Sequence, residues 1–98
     1  MSVDVAIIDY GIGNLFSVQR ALEHCGANVV VTNDPQVLLS APQLVLPGVG
    51  AFADGMRGLT QHGLDKVVLE FANSGKPLLG ICLGMQMLAS VSEEFREH

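Results

Sequence analysis

Four short, nearly continuous apolar runs alternate along the chain with stretches whose apolar residues step by three and four. The first run, Val3 to Asp9, is β-branched and nearly continuous, the pattern of a strand covered on both faces. Leu15, Val18, Leu22 and Cys25 then mark one stripe of a helix, which Asn14 can cap and Gly26 can close in a left-handed conformation. Asn28 to Thr32 reads as the second strand. Asp34-Pro35 supplies an N-cap followed by proline at the first helical position, opening a short helix through Leu39. Gln43 to Leu46 forms the third strand, ended by the turn Pro47-Gly48-Val49-Gly50. A helical stretch, clearest in Leu64, Val67, Val68 and Phe71, stops at Gly75. Pro77 to Ile81 is the fourth strand, and a helix follows from about Leu83 to Ser90. This alternation predicts an α/β fold: a parallel sheet with right-handed crossovers and helices on both faces. Sites in such sheets lie beyond the carboxyl ends of the strands, where both glycine-rich loops and Cys82 fall.

Composition narrows the class. Ninety-eight residues suffice for one small unit, here residues 1–98, and 49% hydrophobic against 15% charged fits a buried sheet. The net charge of −5 makes nucleic acid and anionic membrane poor partners. Cys25 and Cys82 have no metal-ligand or disulfide-scaffold spacing, so neither a metal nor another cofactor is expected. The start, Met-Ser-Val-Asp, lacks a basic region, and no run approaches the roughly 20 apolar residues of a membrane span. A reducing, cytoplasmic setting is the expectation. The chain closes on Glu93-Glu94-Phe95-Arg96-Glu97-His98, after a helix that should cross back to a fifth strand. The fourth strand reads as an interior one with nothing to cover it, so half of a larger domain is expected.

The chemistry concentrates at Gly80-Ile81-Cys82-Leu83-Gly84. A nucleophile at the apex of a sharp strand-to-helix turn needs small residues two positions either side, because the backbone there is strained and closely approached. A helix beginning at Leu83 favours the thiolate through the positive end of its dipole. The bland alternative is a buried structural cysteine; the paired glycines favour the nucleophile at Cys82. For Cys25, on the helix stripe, the structural reading stands. The Pro47–Gly50 loop can aim backbone N–H groups at a developing oxyanion, with the Leu83 amide as a second donor. Against that stands a plain strand-ending turn. Gly11-Ile12-Gly13, with Asp34 about 20 residues on, invites a dinucleotide reading. The third glycine of that fingerprint would fall at Phe16, where a ring should block helix–strand packing, and Asp34 serves better as a cap. His24, His62 and His98 follow no strand end, so none is a convincing general base.

Three blocks carry a resemblance. Asp9-Tyr10-Gly11-Ile12-Gly13-Asn14-Leu15, Leu46-Pro47-Gly48-Val49-Gly50-Ala51-Phe52 and Gly80-Ile81-Cys82-Leu83-Gly84-Met85-Gln86 together resemble the class I (triad) glutamine amidotransferases. Within them the pattern is most similar to the glutaminase subunits of imidazole glycerol phosphate synthases, in histidine biosynthesis. The resemblance covers essentially the whole chain and implies a flavodoxin/Rossmann-like sheet. It implies that Cys82 attacks the side-chain amide of glutamine, forms a thioester and releases ammonia, with no cofactor. The amides of Val49 and Leu83 would form the oxyanion hole, and Gln86 with the Gly50 backbone would hold the substrate. The loop of Tyr10, Gly11, Gly13 and Asn14 would face a (β/α)8-barrel cyclase subunit that consumes the ammonia in a heterodimer. The Pro47–Gly50 loop would be the switch coupling the two.

The resemblance also implies what is missing. Its members are about twice this length, with the catalytic histidine and glutamate in their second half. This chain would therefore be a truncated, N-terminal half that needs the C-terminal half of its own domain. Without a base it loses proton transfer worth about 10²–10⁴-fold, so little glutaminase activity is expected from it alone. Two other readings stay open: a non-catalytic module that docks to the cyclase, and a DJ-1/PfpI-type elbow-cysteine protein, against which the Pro-Gly-Val-Gly-Ala-Phe block counts.

Overall fold

The chain, described here by a computed structural model over residues 3–11, 15–48 and 52–82, builds β1 (Val5–Ile8), α1 (Leu15–His24), β2 (Val29–Thr32) and α2 (Pro35–Ser40) in its first half. The second half adds β3 (Leu44–Gly48), α3 (Phe52–Gln61), α4 (Leu64–Asn73) and β4 (Leu78–Cys82). The four strands form one sheet in the order β2-β1-β3-β4, and every pair is parallel. The expected α/β architecture is the one observed.

Strand alternation divides the core into two layers. Ala6, Ile8, Leu44 and Leu46 point to one face, where Leu38 of α2, Leu59 of α3 and Leu64, Val68 and Phe71 of α4 cover them. Val5, Ile7 and Val45 point to the other, against Leu15, Val18 and Leu22 of α1. Helices thus lie on both faces. On β4 the split is visible in adjacent residues: Leu78 packs into the first layer, whereas Leu79 is 54% exposed on the α1 side.

Local chemistry explains several boundaries. Asp34 caps α2 by accepting from the Gln36 N–H at 3.0 Å, and Pro35 opens the helix, as the dipeptide predicts. At the far end of α2, Lys76 Nζ donates to the carbonyls of Leu39 and Ala41 at 2.7 and 2.9 Å. The same ammonium sits 4.6 Å from the Phe71 ring centroid. Gly63, at φ 69°, separates α3 from α4, where the sequence shows a single helical stretch with a break.

Three expectations need correction. β3 does not end at Leu46 but runs on through Pro47 and Gly48, because β4 pairs with it that far. Cys25 is not on a buried stripe: α1 ends at His24, and Cys25 lies exposed in the following turn. Helical periodicity ends with the helix, so its inward direction was not Cys25's to inherit. Phe16 is 66% exposed under Arg20, so its ring does not sit between helix and strand as supposed.

Candidate active site

The site begins with a difference in strand length. β1 is in register with β3 only to Ile7↔Val45, whereas β4 continues through Leu46↔Gly80 and Pro47↔Ile81 to Gly48↔Cys82. β3 and β4 therefore run on together past the end of β1. The last pair of that extension sets Cys82 directly opposite the first glycine of the Pro47–Gly50 segment. The two motifs, 34 positions apart in sequence (82 − 48), meet at the carboxyl edge of the sheet.

The extension leaves the β1 side of β3 without strand partners, and proline fits that gap. Gln43 offers its carbonyl to the Ala6 N–H of β1, while the Leu44 N–H bonds to the Pro77 carbonyl on the β4 side. Successive residues of a parallel strand address opposite neighbours, so Val45 and Pro47 face the β1 side. The missing N–H of Pro47 thus removes no bond to β4. Its carbonyl, on the same side, accepts a hydrogen bond from the hydroxyl of Tyr10.

Tyr10 reaches that carbonyl because of the turn after β1. The Gly11 N–H donates to Asp9 Oδ1 at 3.2 Å, and Gly11 adopts φ 88°, a conformation that a side chain disfavours. The chain turns sharply, and the Tyr10 ring enters the core, 1% exposed, beside Ile8, Leu44 and Leu46. Burial pushes its phenol above the ordinary value of 10.0. The Tyr10 ring faces inward, and of the described loop residues only Gly11 is exposed. No periodicity announced this bond. The one available signal was that Tyr10 and Pro47 both belong to blocks shared with the same family.

Of the other expected site residues, Gly13 and Asn14 in the first loop lie outside the described residues, as do Val49, Gly50, Leu83 and Gln86. Cys82 is placed through its strand pairing. His24 is exposed in the last turn of α1, and a ring nitrogen of His62 lies 2.8 Å from the Gly58 carbonyl. His98 lies outside the described residues. Asp34 is engaged as the cap of α2, as expected. Among the described residues no group of three His, Cys, Asp or Glu side chains could hold a metal ion, and no helix is long and apolar enough to cross a membrane.

Comparison with known proteins shows the family. The profile of the family "Glutamine amidotransferase class-I" matches residues 6–94. The chain belongs to the class I glutamine amidotransferases. It is 55% identical over 94 residues to "Imidazole glycerol phosphate synthase subunit HisH 1" of Legionella pneumophila (strain Lens), covering 96% of this chain and 44% of that protein. It is 59% identical over 90 residues to the HisH subunit of Moorella thermoacetica, covering 92% of this chain and 43% of that one. The chain thus spans less than half the length of these amidotransferase relatives. A solved structure described as "Crystal structure of glutamine amidotransferase" superposes with a TM-score of 0.68 at 21% identity, over 82% of this chain and 42% of that one. That likeness shows the fold.

Proposed function

We propose that this amidotransferase chain carries the acyl-accepting half of the glutaminase site of an imidazole glycerol phosphate synthase, in histidine biosynthesis. The observation that carries the reading is the register pair Gly48↔Cys82, which brings the glycine-rich segment beside the nucleophile. In this reading the Cys82 thiolate adds to the side-chain carbonyl carbon of glutamine. The resulting oxyanion accepts hydrogen bonds from the amides of Val49 and Leu83. Collapse breaks the C–N bond, ammonia leaves with a proton from a general acid, and a γ-glutamyl thioester remains on Cys82. Water then releases glutamate and restores the thiol. Gln86 and the Gly50 backbone hold the substrate.

The general acid–base is not His24 or His62, neither of which belongs to the carboxyl end of β4. Turnover by these 98 residues alone is therefore low, and the nucleophile is what they provide. The loop of Gly11, Gly13 and Asn14, anchored by Tyr10, faces a (β/α)8-barrel cyclase that receives the ammonia in the cytoplasm.

A chloro-ketone analogue of glutamine tests this. Peptide mapping should find its adduct on Cys82, with glutamine slowing the labelling, while exposed Cys25 reacts no faster than with iodoacetamide. Equal labelling of both cysteines, unaffected by glutamine, would show that no glutamine site exists here.

A further inference from the structure

We infer that Tyr10 is a positioning residue for the Cys82 site, acting through the peptide that leaves Pro47. The inference rests on the reading of Cys82 as the nucleophile of a glutaminase.

Where β1 stops, the β1 side of β3 loses its strand neighbour, but β3 must continue two residues further to place Gly48 opposite Cys82. Among the described residues, the strand ladder holds that two-residue extension from the β4 side only. The Tyr10 hydroxyl supplies the second point of attachment, donating to the Pro47 carbonyl from within the core. A peptide group is rigid and planar, so fixing its carbonyl also fixes the direction of the Gly48 N–H. The donor is well held. Its ring is packed among Ile8, Leu44 and Leu46, and the turn that aims it is closed by the Asp9–Gly11 bond. Tyr10 is consequently a strut between the first loop and the turn beside the nucleophile.

Tyr10→Phe keeps the ring and removes the strut. Labelling of Cys82 by the glutamine chloro-ketone should slow about tenfold, the scale of one neutral hydrogen bond lost. Iodoacetamide, which needs no oriented oxyanion donors, should label Cys82 at the parent rate. Parent-like chloro-ketone labelling of Tyr10→Phe overturns the strut while leaving the glutaminase reading intact. Equal slowing with both reagents overturns it too, since that reports a general structural defect. Failure of the parent itself to show glutamine-protected labelling overturns the reading and the strut together. Should Tyr10→Phe not fold, the chain's one tyrosine allows a second measurement. Replaced by meta-fluorotyrosine, it gives one fluorine NMR resonance, which should shift when the chloro-ketone occupies Cys82 and stay put when Cys25 alone is alkylated. An unmoved resonance at full Cys82 labelling refutes the strut.

Discussion

The two faces of the sheet are covered unequally. Among the described residues, the α2–α4 side gathers Phe71, Leu38, Leu59, Leu64, Leu44 and Leu46 into a fully buried layer, whereas the α1 side buries only Val5, Ile7 and Val45. α1 itself has no buried residue, and its Leu15, Val18 and Leu22 are half-covered. The difference shows where the site is anchored. Tyr10 leaves a surface loop to join the thick layer, so the segment beside Cys82 is tied to the best-packed part of the molecule. The thin layer exposes Phe16, Leu79 and Cys25, while α2 on the other side exposes Val37.

Substitutions on opposite faces put the inequality to the test. Phe71→Ala empties a ring from the thick layer and removes the surface over which Lys76 sits, so denaturant unfolding should show a loss of about 3–5 kcal/mol. Leu22→Ala, on the half-covered face, should lose about 1 kcal/mol. Equal losses would mean that α1 holds the sheet as firmly as α4 does.

Tyr10→Phe sharpens the comparison by removing the hydroxyl bonded to Pro47 from the thick layer without emptying it. The Pro47 carbonyl is left without that donor, which should lower stability by about 2 kcal/mol in the same unfolding assay. Tyr10 also has a pH signature. Its folded phenol titrates above the unfolded value of 10.0, so the folded state holds the proton more tightly. The stability this contributes is fully present below 10.0 and is lost as pH rises through the folded value. Phenolate absorbance, which reports this single tyrosine, should lag behind that of a denatured chain, and Tyr10→Phe should lack the matching fall in stability. Superimposable titrations of folded and denatured chains would put Tyr10 in water.

The smallest effect belongs to a helix end. Asp34→Ala removes the cap of α2 and should cost about 1 kcal/mol, with the midpoint moved and the denaturant dependence unchanged. No change would show that Pro35 and the Lys76 bonds hold α2 without its cap.

Much of the fold was legible because its signals are local. Asp34-Pro35 names a helix start, Gly26 sits where the chain must turn left-handed, and β-branched runs name covered strands. What could not be read depends on partners distant in sequence. Pro47 looks like a strand terminator, yet it is compatible with β3 because β1 has ended and no ladder bond is needed on that side. Tyr10 looks like a loop residue offered to a partner, but the turn at Gly11 directs its ring inward to a carbonyl 37 residues away. Cys25 keeps the helical spacing one residue after the helix has stopped. At the site, the nucleophile motif and the glycine-rich segment were each readable, and their meeting at Gly48↔Cys82 is the added fact.

A crystal structure of the chain alkylated at Cys82 by the glutamine chloro-ketone is the most direct test of the site. The account predicts that the adduct's carbonyl-derived oxygen lies about 2.7–3.1 Å from the backbone nitrogens of Val49 and Leu83, with Tyr10 still bonded to the Pro47 carbonyl. An adduct whose oxygen points away from the Pro47–Gly50 segment into solvent would contradict it.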